Sequence, residues 1–235
     1  MSIAENLSRI QNQIADACAR AHRSPADVAL MAVSKVHPVE VVLEAYEAGL
    51  RLFGENRVQE WQSKAPAAAH LEGLEVHLIG PLQSNKSAKA AELFQAVDTV
   101  DSLKIGQRLN AAAEALGKMI PVHIEVKLSH EESKHGIAPE ELPGLLASLS
   151  ELKHLALAGL MTVPPWSEEP ETARPYFQRL RQLRDENVSM YAELTGLSMG
   201  MSGDFAVAIA EGSTCIRIGT ALFGRRVYSA LNQDR

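Results

Sequence analysis

A single (β/α)8 barrel is the fold class this sequence predicts, on two observations. Eight short apolar runs alternate with longer, charged, helix-like segments along a chain of 235 residues. Inside some of those runs, apolar and polar side chains alternate with period two. Strand–helix alternation demands parallel strands joined by crossover helices. Eight such units fit a closed barrel better than an open doubly wound sheet, which usually stops at about five or six strands. No shift in composition marks a second domain. Residues 1–235 therefore read as one barrel domain, with residues 1–24 as an extra N-terminal helix packed on it.

The opening segment 2–22 is amphipathic. Ile3, Leu7, Ile10, Ile14 and Ala17 recur at steps of three and four, and Ser24-Pro25 ends the pattern. Strands are then expected at Ala29–Ser34, Leu50–Gly54, Val76–Gly80, Ala96–Val100, Val122–Leu128, Leu155–Val163, Leu194–Met199 and Cys215–Ile218. Helices are expected at Val39–Gly49, Asn56–Lys64, Lys86–Phe94, Ser102–Leu116, Pro139–Leu149, Glu171–Asn187 and Asp204–Glu211, and a last one starts near Gly219. In Val122–Leu128 the parity sends Val122, Ile124, Val126 and Leu128 toward the helices. It points His123, Glu125 and Lys127 into the barrel. In Cys215-Ile216-Arg217-Ile218 it buries two isoleucines outward and aims Arg217 inward. Such an interior suits a polar ligand at one mouth.

Composition excludes several classes. The net charge of −6 argues against a duplex-binding protein, which needs a dense basic stripe. A hydrophobic fraction of 46% suits a large core and argues against disorder. Cys18 and Cys215 stand far apart with no metal-ligand spacing, so two free thiols are expected. Glu5 and Arg9 interrupt the N-terminus as a leader, and no window has the uninterrupted apolar length to span a membrane. A cytoplasmic protein is expected, with neither nucleic acid nor membrane as a partner.

Several places are candidates for chemistry. Lys35 closes the apolar run Ala32-Val33-Ser34. A lysine at a strand end commonly snorkels. At the C-terminal end of the first barrel strand it also stands where such sites are built, and partial burial favours a neutral amine that attacks aldehydes. Ser198-Met199-Gly200-Met201-Ser202-Gly203-Asp204 and Arg217-Ile218-Gly219-Thr220 each run from a strand end toward a helix start, where free amides favour an anion. With Gly212-Ser213-Thr214 they supply glycines (Gly203, Gly212, Gly219) that let backbone approach a phosphate. The competing reading is helix capping by Ser202 or Asp204. Arg217 suits either an inward acid such as Glu125 or a ligand ring nitrogen. Gly54-Glu55-Asn56-Arg57 reads as a cap glycine and a helix start, with Glu55 and Asn56 lining the mouth. His77 reads as a packed or hydrogen-bonded core histidine. His130-Glu131-Glu132-Ser133-Lys134-His135 has one residue too many for a zinc-protease motif, so no metal site is expected.

Several of these segments together resemble a known family. They are Ala32–Lys35, Phe53–Asn56, His77–Lys86, Gly159–Met161, Leu197–Asp204 and Gly212–Gly224, in order along nearly the whole chain. They resemble the pyridoxal phosphate homeostasis proteins (the YggS/PROSC family), which are similar to the barrel domain of alanine racemase. The resemblance implies that Lys35 forms a Schiff base with pyridoxal 5′-phosphate (PLP). It implies that Ser202, Gly219 and Thr220 hold the phosphate and that Arg217 faces the pyridine nitrogen. It places Asn56 near the ring, with His77 and Met161 beneath or beside it. Val36 and Arg57 depart from the family pattern, where a polar and an aromatic residue are common.

An arginine at the ring nitrogen leaves that nitrogen unprotonated and the ring a poor electron sink. Racemisation would need a second acid/base. Tyr46, Tyr176 and Tyr191 fall in expected helices and Tyr228 in the tail. The function read from the sequence is therefore a PLP carrier or buffer with no catalytic residue, monomeric, handing PLP to apoenzymes. The alternative is a PLP-dependent amino-acid racemase or other small PLP enzyme. A phosphosugar-binding barrel would explain the phosphate loops alone. Lys134 is a further candidate phosphate contact, against a solvated loop charge.

Overall fold

The computed structural model describes residues 2–129, 131 and 135–224. Its strands are β1 (Ala29–Val33), β2 (Leu52–Glu55), β3 (Glu75–Leu78), β4 (Ala96–Val100), β5 (Ile120–Glu125), β6 (Leu155–Met161), β7 (Gly196–Met201) and β8 (Cys215–Ile218). All pair in parallel with their sequence neighbours, and β1 pairs with β8, so the barrel closes. The helices are α1 (Ile3–Arg20), α2 (Val39–Glu47), α3 (Val58–Ala68), α4 (Ser87–Leu93), α5 (Leu103–Ala115), α6 (Leu142–Ser150), α7 (Arg174–Asn187), α8 (Phe205–Ala210) and α9 (Thr220–Phe223). The expected fold class is what is found.

The main core lies between strands and helices. Phe53, Leu78, Val97, Val122, Ile124, Leu160, Leu197, Ile216 and Ile218 point outward into it and meet Phe94, Leu109, Leu146, Phe177 and Leu180 from the helices. Burial of apolar surface on this scale is the main favourable term of the fold. The period-two parity decides what remains for the interior: Met31, Asp98, His123, Glu125, Met161 and Arg217.

The boundaries moved where local bonds outcompeted pattern. Ser24 and Ser102 cap their turns through side-chain oxygens, as hydroxyl residues do at helix starts. Pro139–Glu141 and Pro170–Ala173 form 3-10 turns, so α6 and α7 begin later than expected. β5 starts earlier, at Ile120, and ends at Glu125. Beyond it Val126 bridges Ile137, and Lys127 N–H donates to Ile137 O at 2.8 Å, so Lys127 is not an inward strand residue. Tyr191 lies past the end of α7 in the turn before β7, not in a helix.

Helix α1 packs against α8 and α9. Its buried Asn6 donates from Nδ2 to Leu222 O at 2.9 Å, and Arg9 donates to Ala221 O at 3.0 Å. Arg23, just after α1, donates to Ile209 O at 2.8 Å. The N-terminal segment thus satisfies carbonyls at the ends of the two short helices that follow β7 and β8. Among the described residues, no helix is long and apolar enough to cross a membrane.

Candidate functional site

Parallel strands bring all eight C-terminal ends to one rim, where a (β/α)8 barrel carries its site. Lys35 follows β1 by two residues on this rim and is partly buried. The turn that presents it is unusual. Val36 has φ 61°, in the left-handed region that a β-branched residue rarely enters. Such a conformation costs on the order of 1–3 kcal/mol and persists only when its surroundings fix it.

Those surroundings are a buried ionic network. Glu55 ends β2 and is fully buried, and Lys64 on α3 is only 7% exposed. Lys64 Nζ donates to Glu55 Oε1 at 2.8 Å, to Glu60 Oε1 at 2.7 Å and to Ser34 O at 3.2 Å. Ser34 Oγ donates to Glu55 Oε1 at 2.7 Å, and Glu60 accepts from Val36 N–H. Burial pushes the Glu55 carboxyl above the usual carboxylate range, against the opposing pull of Lys64 and Ser34. Gly54 faces the interior beside Met31 and Ile79, so period two turns Glu55 outward under α3. Glu55 therefore does not line the mouth, and Gly54 is a strand residue, not a helix cap.

Across the rim, β8 neighbours β1, with Met31 opposite Arg217 and Ala32 opposite Ile218. Gly219 therefore lies against Val33: a Cβ on it would sit 3.4 Å from Val33 O, two residues before Lys35. Ser202 Oγ accepts from Ala221 N–H at 3.4 Å, joining the loop after β7 to the start of α9. Thr220 is exposed and Gly219 half-buried. The rings of His37 and Phe223 stand 5.1 Å apart, linking the β1 loop to α9. Asp204 accepts from Met201 N–H at 2.6 Å but makes no side-chain cap on α8, so the capping reading fails for it.

Gly212-Ser213-Thr214 does not join this group. It precedes β8 and so lies at the opposite, N-terminal end of the barrel. Gly212 has φ 95°, and glycine is required there by the turn that ends α8, not by an anion. Ser213 is buried and donates to Met199 O at 2.7 Å.

Arg217 is buried in the barrel. It donates from Nη1 to Ser198 O at 2.6 Å and Ser198 Oγ at 2.8 Å, and from Nη2 to Thr162 O at 2.8 Å. These acceptors are all neutral groups, so of the two readings offered for Arg217, an inward acid or a ligand ring nitrogen, its hydrogen bonds do not follow the first. Burial pushes its guanidinium downward, while the negative charges of Asp98, Glu125 and Asp204 pull it back up. The pairing of β7 with β8 takes an extra residue on β7 between Ser198 and Met201. That bulge re-aims the β7 end toward the mouth.

Deeper in the barrel, Asp98 on β4 sits between two histidines. His123 Nδ1 lies 3.1 Å and His77 Nδ1 3.2 Å from its Oδ1, the first with hydrogen-bond alignment and the second without it. Burial opposes the Asp98 charge, yet His123 and His77 hold its carboxyl far below the usual range. Burial lowers His77, and Asp98 raises it by more. His77 is thus a partly buried histidine held beside a charge, close to the packed histidine expected from sequence. Burial pushes the neighbouring Cys215 thiol up to about 12. Cys18 and Cys215 are both free thiols.

Asn56 and Met161 also reach the rim. Asn56 follows β2, and Met161 ends β6 at 1% exposure, outside the strand–helix core. Gly80 supports Asn56 by close approach: a Cβ at 80 would come within 2.2 Å of Asn56 O. Thr99 fixes that loop through a 2.8 Å bond to Gly80 O.

The structure thus gathers Lys35, Asn56, Met161, Ser202, Gly219 and Thr220 at one rim, with Arg217 and His77 in the barrel they open into. Lys134, Tyr228 and most of the His130–His135 motif lie outside the described residues. Sequence reasoning missed Lys64, Glu60 and Asp98. The spacing Glu60–Lys64 is a helical i,i+4 pair and could have signalled an ion pair. That it is buried against Glu55 is a tertiary fact.

Comparison with known proteins follows the same lines. Residues 5–227 match the family model "Alanine racemase, N-terminal domain". A pyridoxal phosphate homeostasis protein of Pseudomonas aeruginosa is 46% identical over 229 residues, covering 97% of this chain and 98% of that one. That of Aquifex aeolicus is 44% identical, covering 97% and 100%. The structure of PipY from Synechococcus elongatus with PLP bound superposes with TM-score 0.83 at 40% identity, covering 94% of this chain and 100% of that one. By sequence and fold alike, the chain belongs to the pyridoxal phosphate homeostasis protein family, built on the alanine racemase N-terminal barrel.

Proposed function

We propose that this chain holds PLP as a Schiff base on Lys35 and serves intracellular PLP homeostasis as a carrier or buffer without catalytic turnover. The observation that carries the reading is the meeting of two elements at one rim: Gly219 packs on Val33, two residues from Lys35. An amine and a phosphate-type loop thereby stand side by side. The PLP-bound relative supports the same ligand.

The donor set fits the group. Ser202, Gly219 and Thr220 offer hydroxyls and backbone amides for a phosphate. Arg217, fixed by neutral acceptors, donates to a ring nitrogen and cannot protonate it. Asn56, His77 and Met161 surround the ring position. When bound, PLP supplies a masked aldehyde that stays exchangeable with other amines. With its ring nitrogen unprotonated it is a weak electron sink, which favours storage over carbanion chemistry. Tyr46 lies on α2 and donates to Glu72 O at 2.7 Å, away from the mouth, and Tyr176 lies on α7. The protein acts as a cytoplasmic monomer that delivers PLP to apoenzymes.

The test is the visible spectrum of wild type and Lys35→Ala with added PLP, combined with chiral chromatography after incubation with L- and D-alanine, serine and lysine. An imine band in wild type, its loss in the variant and no change of enantiomer support the reading. Steady enantiomer turnover abolished by Lys35→Ala contradicts the carrier role.

A further inference from the structure

We infer that Glu60 and Lys64 are positioning residues for Lys35: from one face of α3 they clamp the two peptide groups that flank it, and so set the approach of its amine. The inference rests on the reading of Lys35 as the PLP attachment point and names the parts of the same site that make it reactive.

The geometry is specific. The peptide before Lys35 contributes Ser34 O, which accepts from Lys64 Nζ at 3.2 Å. The peptide after it contributes Val36 N–H, which donates to Glu60 Oε1. Glu60 and Lys64 are one helical turn apart and bonded to each other at 2.7 Å. Glu55 anchors Lys64 from below, with its second oxygen buried and lacking a hydrogen bond. Ser34 N–H also donates to Gly54 O at 3.1 Å, tying the same peptide run to β2. Immediately after the second clamped group the chain turns through the left-handed conformation of Val36. A β-branched residue leaves that region when nothing holds it. Released, the turn would relax and swing the direction in which Lys35 leaves the strand.

Imine formation depends on that direction. The Lys35 nitrogen adds to the aldehyde carbon, C=N replaces C=O, and the oxygen leaves as water with the two amine hydrogens. Nothing is oxidised or reduced. A fixed amine reaches the aldehyde at a higher effective concentration than a swinging one.

Stopped-flow absorbance of apoprotein mixed with PLP measures the rate, and borohydride reduction with peptide mapping locates the adduct. Thermal midpoints are recorded for each variant. Glu60→Ala is expected to slow imine formation about tenfold, the effect of losing one charge-assisted hydrogen bond. Glu60→Gln keeps an acceptor for Val36 N–H and is expected to stay within about threefold of wild type. Glu60→Asp keeps the charge beside Lys64 but falls a methylene short of Val36, and is expected to react as slowly as Glu60→Ala. The Gln–Asp pair also serves if Glu60→Ala does not fold. An adduct on Lys35 formed at the wild-type rate in both Ala and Asp variants would overturn the clamp alone. Asp as fast as Gln would do the same. A wild-type adduct away from Lys35 would overturn the functional reading and the inference with it.

Discussion

The β1–β2 flank of the mouth is held by a buried ion pair, whereas on the β7–β8 flank the buried cation, Arg217, donates to neutral acceptors and the loops join through hydroxyls, amides and carbonyls. On the first side, Lys64 and Glu55 form an ion pair almost without solvent. On the second, Ser202 meets Ala221 N–H at 3.4 Å, and α9 is steadied from outside by Asn6 and Arg9. Buried ions are a poor source of stability but hold geometry tightly, because breaking one bond strands a charge. The long, neutral bond between Ser202 and Ala221 costs little to rearrange. The difference suits the two tasks proposed for the flanks: a reactive amine that must point one way, and loops that close on a phosphate.

Four substitutions probe that contrast. Lys64→Met removes the cation from between Glu55 and Glu60, and is expected to lose about 3–5 kcal/mol in urea unfolding. A loss under 1 kcal/mol would mean that the network holds no more than a surface pair. Gly80→Ala forces a methyl against Asn56 O, and is expected to cost about 1–3 kcal/mol by the same measurement. Asn6→Ala, on the β7–β8 flank, removes one buried bond to α9. It is expected to cost about 1 kcal/mol and to lower the thermal midpoint by roughly 2–4 °C. If it exceeded Lys64→Met, the two flanks would have to be exchanged in this account.

The smallest effect is a pH slope. Burial raises Glu55 in the folded protein above its unfolded value. A group so shifted contributes stability fully below the unfolded carboxylate pKa and loses it as pH rises through the folded value. Glu55→Gln should therefore gain on wild type between acid and neutral pH in paired urea titrations. A constant difference between the two would contradict the shift.

The barrel itself was legible, because each of the eight apolar runs had turn residues or charges on both sides. The inward aim of Arg217 and His123 followed from parity alone. The ends were harder to place. β3 stops at Leu78, not Gly80, because Gly80 is engaged by Thr99 and pressed against Asn56. β7 begins at Gly196, since Leu194 N–H and Thr195 N–H are taken by turn carbonyls. The rim positions of Lys35, Ser202 and Gly219 were legible in the sequence because each follows the end of an apolar run that forms a strand. Glu55 was misplaced because its neighbour Gly54 hid the strand parity. The Asp98 pair with two histidines joins residues from three strands, which no local pattern records.

The central claim is the attachment of PLP to one amine. Borohydride reduction of the PLP-loaded full chain, followed by proteolysis and mass spectrometry, tests it most directly. The account predicts a pyridoxyl-phosphate adduct on the peptide that carries Lys35 and its absence from Lys35→Ala. An adduct confined to another lysine, or no adduct at all, would contradict it.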